Sequence, residues 1–301
     1  MRGGTTTLSL KSWKTNIAGY LLLAPSLLVI AIFVLIPVLY SAGLSLYSWD
    51  MLRPTPTFVG VDNYQRLFTN EEFYHSLKIT FLFAAMTVPL SMLIALIFAL
   101  LLDQGSKKLM ITYRSMFFAP MVTSTVAISV VWMFIFHPDY GLANAIIESF
   151  GFKPLRWLND TNTSLMSLAI MSIWKTLGYN VIILLAGLQN TDSSVLEAAK
   201  VDGANKWQIV TRIRIPLLTP SLFLLLILLT IEQFQTFTQV NVMTKGGPAK
   251  STELVVVQLY HYAFELFQMG YASAISMVIF AIVLLLVVLQ MIVVGRKVHY
   301  Q

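Results

Sequence analysis

Residues 77–102 have the sequence LKITFLFAAMTVPLSMLIALIFALLL, in which Lys78 is the only charged side chain. An α-helix needs about 20 predominantly apolar residues to cross the hydrocarbon core of a bilayer, so this stretch predicts a transmembrane helix. Prolines inside several such stretches predict kinks that neighbouring helices can accommodate. The sequence therefore predicts an all-α membrane protein, a kinked bundle of six transmembrane helices at 17–40, 77–102, 116–136, 164–188, 216–243 and 272–295.

The composition of the whole chain agrees with a membrane protein and argues against several classes of function. Of the 301 residues, 57% are hydrophobic and 11% are charged, and the mean hydropathy is +0.74. A soluble domain carries about 25% charged residues, so a water-soluble globule is excluded. The chain has no cysteine, which excludes disulfides and thiolate metal sites. The four histidines lack the spacing of metal ligands, which argues against a metalloenzyme.

The distribution of basic residues predicts the orientation of the spans. If the N-terminus is cytoplasmic, twelve of the 20 Lys and Arg residues fall in cytoplasmic segments, seven fall in outer segments, and Lys175 falls within a span. Cytoplasmic loops carry an excess of Lys and Arg, so both termini are expected in the cytoplasm. Topology thereby accounts for the net charge of +6. No nucleic-acid partner is expected, because that would require a basic surface with stacking aromatic residues.

This topology divides the chain into four parts. Residues 1–16 form a cytoplasmic tail, 17–76 the first transmembrane helix with an outer loop, 77–295 a five-helix core, and 296–301 a second cytoplasmic tail. The first span is longer than the roughly 7–15 apolar residues of a signal peptide, and no small-residue cleavage site follows it. It is therefore expected to remain as a membrane anchor.

The longest cytoplasmic loop, 189–215, has a pattern of its own. Helix-favouring residues at 196–201 are followed by Gly203, which can adopt the left-handed conformation that ends a helix. Apolar residues at Trp207, Val210 and Ile213 then recur at helical spacing, which predicts a second helix leading into the fifth span. A short helix with small side chains can enter a groove on a partner. The alternative is an amphipathic helix that lies on the membrane surface without a partner.

The same loop resembles the signature loop of the permease subunits of ABC importers. That signature is EAA, three residues, G, nine residues, I, one residue and L-P, and Ile215 stands here in place of the leucine. The matching residues in this chain are Glu197, Ala198, Ala199, Gly203, Ile213 and Pro216. Further stretches are similar to the sugar-transport branch of that family, namely Tyr20 to Pro25 with Pro37, GVDNY at 60–64, Asn159, and GGP at 246–248 followed by Ser251, Thr252 and Tyr260.

The resemblance implies a specific set of partners. It implies that this chain forms half of a translocation path that works by alternating access, and that a second homologous permease forms the other half. It also implies two ATPase subunits, an extracytoplasmic solute-binding protein, a carbohydrate substrate and a location in the bacterial cytoplasmic membrane. The residues implied to couple transport to the ATPase are Glu197, Ala198, Ala199, Asp202 and Gly203.

The segment 244–252, TKGGPAKST, is not a phosphate-binding loop. Thr244 and Ala249 stand where that motif requires glycine, and the segment is expected on the outer face. No cofactor is therefore expected in this chain, and the resemblance implies that ATP and magnesium bind to the partner subunits.

Polar side chains in the fourth and fifth spans predict a substrate path. Lys175 and Glu232 are costly inside a bilayer and are expected to face the interior of the bundle or a cavity. Amides, carboxylates and aromatic rings together suit a carbohydrate, which presents both hydroxyl groups and apolar ring faces. Two alternatives remain open, hydrogen bonds between helices for the amides and a mutual salt bridge for Lys175 and Glu232. The candidate residues are Lys175, Tyr179, Asn180, Glu232, Gln233, Gln235 and Gln239.

Two other classes of function compete with an importer subunit. A secondary transporter could use Lys175 and Glu232 as an ion relay, but the sequence shows no inverted repeat with paired broken helices. An intramembrane enzyme would need a catalytic constellation, and none is recognisable. The chain is therefore expected to be a transport subunit.

Overall fold

The computed structural model describes residues 9–50, 55–103, 113, 116–117, 119–190 and 193–295. Helices dominate these residues, and the short strands β1 (Tyr47–Ser48) and β2 (Thr57–Phe58) pair antiparallel. Segments of π-helix occur at Ala31–Leu35, Ile209–Arg214 and His261–Glu265, and a 3₁₀ turn at Trp157–Asn159. The α-helices are α1 (Ser9–Ile30), α2 (Ile36–Leu44), α3 (Asp62–Thr69), α4 (Glu71–Asp103), α5 (Thr125–Ile135), α6 (Leu142–Ser149), α7 (Ser164–Gln189), α8 (Ser193–Val201), α9 (Lys206–Gln208), α10 (Ile215–Leu217), α11 (Thr219–Phe234), α12 (Thr238–Met243), α13 (Val255–Tyr260) and α14 (Met269–Val293).

Five of the predicted spans are confirmed as helical stretches long and apolar enough to cross a membrane. They are Tyr20–Leu44, Glu71–Asp103, Ser164–Gln189, Thr219–Met243 and Met269–Val293. The predicted tail 296–301 and residues 1–8 of the other predicted tail lie outside the described residues.

The predicted span 116–136 is not one continuous helix. Residues 119–122 are helical, the helix stops at Thr123 and Ser124, and α5 begins at Thr125. Pro120 has no N–H to donate, and the Thr123 hydroxyl donates to the Ala119 carbonyl at 2.8 Å. The same kind of bond occurs in the uninterrupted helix α4, where the Thr80 hydroxyl donates to the Ser76 carbonyl. The 11 residues of α5 reach only about 16 Å, half the thickness of the hydrocarbon core.

The centre of the fold is the close packing of α4 against α7. Small residues on α4, including Ser91, Ala95 and Ala99, are fully or almost fully buried. Small side chains let two helices approach closely in a membrane, where the hydrophobic effect does not drive association. The apolar cluster at this contact also takes in Leu184 of α7 and Leu225 of α11.

Helix α14 packs against α2 and α3 at the end of the fold that holds the two short strands. A Cβ atom at Gly270 would collide with the carbonyl oxygen of Tyr47, so only glycine fits this contact. Asn63 connects α3 to the residues that follow α2, because its side-chain amide donates to the backbone carbonyls of Ser45 and Tyr47 at 2.8 and 3.0 Å. By contrast, the most apolar part of the first span, Tyr20–Leu44, buries no side chain against the rest of the chain.

Candidate functional site

The first candidate region is the segment 193–217, which we call the EAA loop. Its helix α8 ends as predicted at a glycine, because Gly203 has a φ of +81°. The Gly203 amide donates to the Lys200 carbonyl at 3.1 Å, and the Ala204 amide donates to the Ala199 carbonyl at 2.9 Å. These two bonds satisfy carbonyls that the end of a helix otherwise leaves unpaired. The predicted helix and glycine turn are therefore confirmed.

The predicted second helix of the EAA loop is present but not uniform. Asn205 caps the start of this helix through two reciprocal hydrogen bonds. The Asn205 side-chain oxygen accepts from the backbone N–H of Gln208, and the Gln208 side-chain oxygen accepts from the backbone N–H of Asn205. The helix widens into a π-helix at Ile209–Arg214, directly before Pro216. Proline lacks the N–H that an α-helix would use there, so the change of hydrogen-bonding pattern precedes it.

The EAA loop leaves large apolar side chains uncovered. Val201 is 87% exposed and Trp207 is 74% exposed, and Glu197 and Ala198 are exposed beside them. Grouped exposed apolar side chains of this kind mark an interaction surface with a protein or a membrane.

A salt bridge ties the EAA loop to the end of α4. The Arg214 guanidinium lies 2.8 Å from the Asp103 carboxylate, with only 15% and 19% of the two side chains exposed. Sequence analysis missed this pair, because the two residues are distant in the chain and nothing local in either segment indicates the other.

The second candidate region is a cavity of about 530 Å³ in the fourth and fifth spans, which we call the membrane cavity. Of the predicted path residues, Lys175, Tyr179, Glu232, Gln235 and Gln239 line it. The lining also includes the Phe237 ring and residues that sequence analysis did not single out, among them Met121, Thr125, Ser172 and Thr176.

The two ionisable residues share the membrane cavity without pairing. The Lys175 ammonium donates to the Thr125 hydroxyl at 2.6 Å, at the point where α5 begins. No nitrogen–oxygen contact within 4.0 Å joins Lys175 to Glu232, both of which the structure describes. The break in the third predicted span thus places a hydroxyl beside the lysine and leaves the Glu232 carboxylate facing the cavity.

The amides divide between the cavity and the helix contacts. Gln233 is 1% exposed and accepts a hydrogen bond from the Ser172 hydroxyl at 3.1 Å, which links α11 to α7. Asn180 is fully buried, and its amide donates to the Thr176 hydroxyl at 3.3 Å within α7. Gln239 is 5% exposed and lines the cavity, and its Nε2 has no hydrogen-bond partner among the described residues. Gln239 therefore has donor capacity to offer a ligand.

The chain matches a family model and known permease proteins over most of its length. Residues 80–298 match the family model described as "Binding-protein-dependent transport system inner membrane component". The chain is 38% identical over 293 residues to the probable ABC transporter permease protein YesP of Bacillus subtilis, covering 96% of this chain and 94% of that protein. It is 33% identical over 266 residues to the trehalose/maltose transport system permease protein MalF of Thermococcus litoralis, covering 88% and 90%.

The fold also matches a solved structure over almost its whole length. A chain in the crystal structure of a bacterial ABC transporter involved in the import of the acidic polysaccharide alginate superposes with a TM-score of 0.80, at 21% sequence identity. The match covers 95% of this chain and 98% of that chain. At this identity the likeness establishes the shared fold of an ABC transporter permease.

Proposed function

Since this chain belongs to the family of binding-protein-dependent transport system inner membrane components and is thus a multi-pass transport subunit, we propose that it is one of two permease subunits of an ATP-driven carbohydrate importer. The observation that carries the proposal is the membrane cavity. Its lining combines an ammonium, a carboxylate, amides and the Tyr179 ring, which suits the hydroxyl groups and ring faces of a saccharide. The trehalose/maltose permease among the relatives supports the same class of substrate.

Alternating access would be driven from the EAA loop. In this proposal Glu197, Ala198, Ala199, Asp202 and Gly203 form the surface that enters a groove on an ATPase subunit. The exposed Val201 and Trp207 support such a docking surface, because a partner would cover them. ATP and magnesium would then bind to the two ATPase subunits. The surface-helix alternative would place the same apolar side chains in the membrane interface.

A second homologous permease would complete the path. Glu232 and Gln235 line the membrane cavity yet are exposed on this chain, so the cavity is open on one side. The first span, Tyr20–Leu44, likewise presents its apolar surface unburied. Both features support a partner permease that covers them.

The proposal includes a topology and a location. Six membrane passages, with the interrupted segment 116–136 as the third, place both termini and the EAA loop in the cytoplasm. The extracytoplasmic binding protein would then deliver substrate at the end of the fold that holds the segment 244–268. The family description supports the bacterial cytoplasmic membrane as the location.

The ion-relay alternative is not favoured, because the relatives are ABC transporter permeases and Lys175 and Glu232 are not in contact. Proteoliposomes containing this chain, its partner permease, the two ATPase subunits and the binding protein separate the two mechanisms. We expect uptake of radiolabelled maltose or trehalose that requires both ATP and the binding protein, and that falls at least about tenfold in Gln235→Leu. Uptake driven by an ion gradient without ATP would refute the proposal.

A further inference from the structure

A second cavity lies in the segment 244–268, which we call the GGP loop, where it meets the start of α4. This GGP cavity has a volume of about 850 Å³. Two side-chain contacts lie in its wall. The Lys250 ammonium donates to the Glu72 carboxylate at 2.6 Å, and a hydrogen bond of 2.7 Å joins His261 Nδ1 to the Glu265 carboxylate. None of these residues was singled out by the sequence as a candidate site.

Gln258 is the unusual residue of the GGP cavity. It is 1% exposed and lines the cavity, yet neither its Oε1 nor its Nε2 has a hydrogen-bond partner among the described residues. Glu253 lines the same cavity, and its buried Oε2 also accepts no hydrogen bond, lying 3.9 Å from the Lys250 ammonium. Buried polar atoms are almost always paired in folded proteins, so two such side chains at one cavity indicate a polar ligand or water.

The chemistry of the lining favours a neutral polyhydroxyl ligand. Gln258 supplies a donor and an acceptor side by side, Glu253 supplies an acceptor, and the Tyr260 ring supplies an aromatic face. The lining holds three carboxylates, Glu72, Glu253 and Glu265, against two ammonium groups, Lys245 and Lys250. Burial favours the neutral form of Glu253, which leaves two carboxylates against two ammonium groups, so the lining has no net positive charge that would favour an acidic ligand.

An aromatic contact joins the linings of the two cavities. Phe237 lines the membrane cavity and Tyr260 lines the GGP cavity, and their ring centroids are 4.7 Å apart. Helix α12 contributes to both walls, with Gln239 on the membrane cavity and Asn241 on the GGP cavity. The linings of the two cavities are therefore adjacent at α12 and at the Phe237–Tyr260 contact.

We propose that the GGP cavity is a second saccharide site, which holds a neutral sugar through Gln258 and Glu253 before the sugar passes the Phe237–Tyr260 contact into the membrane cavity. This inference rests on the proposed function of the chain as a carbohydrate permease. The GGP cavity would then be a staging site, a place where the sugar binds before it enters the membrane cavity.

Equilibrium dialysis of radiolabelled maltose and trehalose against the purified complex of permeases and ATPases, without the binding protein, tests this inference. We expect Gln258→Leu to remove one bound sugar per complex, with Glu253→Gln lowering occupancy of the same site at least about fivefold. The Gln258 side chain makes no hydrogen bond to the residues that the structure describes, so its replacement is expected to leave assembly intact. Gln65→Leu, an exposed glutamine on α3, is the matched control and should change nothing.

The possible outcomes distinguish a failure of the staging site from a failure of the proposed function. If Gln235→Leu removes a bound sugar while Gln258→Leu and Glu253→Gln change neither stoichiometry nor affinity, the staging site is wrong and the proposed function stands. If the wild-type complex binds neither sugar while uptake that depends on ATP and the binding protein persists in proteoliposomes, the staging site is wrong and the proposed function stands. Displacement of the Gln258-dependent sugar by an alginate disaccharide as readily as by maltose would overturn the assignment of a neutral ligand.

Discussion

The EAA loop and the GGP loop lie at opposite ends of the fifth span, Thr219–Met243, and are held in different ways. Hydrogen bonds in the EAA loop are mostly local, from Gly203 back to Lys200 and between Asn205 and Gln208. The GGP loop also has local hydrogen bonds, but others reach across the fold, and the Val255 amide donates to the Thr80 hydroxyl at 2.9 Å. The described hydrogen bonds of the EAA loop lie mostly within the loop, and the Arg214–Asp103 salt bridge connects it to α4, whereas hydrogen bonds also join the GGP loop to other helices.

The difference follows from what each loop has to do in the proposed importer. A surface that docks a partner must be rigid and yet uncovered, which local capping bonds achieve without burial. A loop that encloses a ligand must instead be fixed to the rest of the fold, so that its polar groups keep their positions. The contrast is therefore a contrast between a coupling surface and a binding surface.

The largest effect is expected in side-chain accessibility from the two sides of the membrane. The chain has no native cysteine, so Val201→Cys in the EAA loop and Phe152→Cys, a 70% exposed residue before the fourth span, provide unique probes. We expect an impermeant thiol reagent to label Phe152→Cys in intact cells and Val201→Cys only in inside-out vesicles washed free of peripheral subunits. The reverse pattern would show that the proposed orientation is wrong.

The next largest effect is expected at Gly203. Apart from its two chain neighbours, no atom of the described residues lies within 4 Å of the position that a Cβ would occupy, so the strain of a substitution comes from the φ of +81°. That strain costs about 1–2 kcal/mol for an ordinary residue and more for a β-branched one. We expect Gly203→Val to reduce ATP hydrolysis stimulated by the loaded binding protein at least about tenfold, without loss of membrane insertion.

Gly203→Asn is the matched control, because asparagine tolerates the left-handed conformation. It should retain most of the stimulated hydrolysis, and Glu197→Lys should give an intermediate loss through charge reversal at the docking surface. If a complex with the Gly203→Val variant hydrolysed ATP and took up sugar at the wild-type rates, the coupling role of the EAA loop would be ruled out.

These two loops also show how far the sequence alone leads. The end of α8 at Gly203 and the five confirmed spans could be predicted, because the signals are local glycine chemistry and the length of apolar runs. The Arg214–Asp103 salt bridge, the Gln258 side chain without partners and the break at Ser124 could not. The first two depend on groups that the fold brings together from distant parts of the chain. The break has no distinguishing local signal, because α4 also contains a proline and hydroxyl-to-carbonyl bonds and yet continues from Glu71 to Asp103.

The Arg214–Asp103 salt bridge tests whether the EAA loop acts as a rigid unit with α4. Removing either partner leaves a largely buried charge unpaired, which costs about 1–3 kcal/mol. We expect Arg214→Gln and Asp103→Asn each to lower the thermal stability of the complex and to reduce coupled ATP hydrolysis several-fold. The double variant should lose no more thermal stability or coupled ATP hydrolysis than either single variant, because the two residues act as a pair. Lys206→Gln, an exposed basic residue of the same loop, should have no effect, and additive losses in the double variant would contradict the pairing.

The smallest effect is expected from the buried charge of the GGP loop. Burial raises the pKa of Glu253 above its ordinary value, and the charge of Lys250 opposes that shift. The folded protein then holds a proton on Glu253 that the unfolded chain has released, so stability falls as the pH rises from the ordinary pKa of a glutamate through the raised one. The other charged or titratable groups that act on Glu253 are Glu72, His261 and His75.

Glu253→Gln carries no titratable group and should lose this part of the pH dependence. We expect amide hydrogen exchange across 244–268 to be slower in the variant than in the wild type at pH 7, and the difference to shrink as the pH falls toward that of the protonated carboxyl. Glu148→Gln, at an exposed position on α6, is the control and should follow the wild type at every pH. Equal exchange rates in the Glu253→Gln variant and the wild type at pH 7 would show that burial of the Glu253 carboxylate does not destabilise the GGP loop. The contrast with the EAA loop would then rest on hydrogen bonding alone.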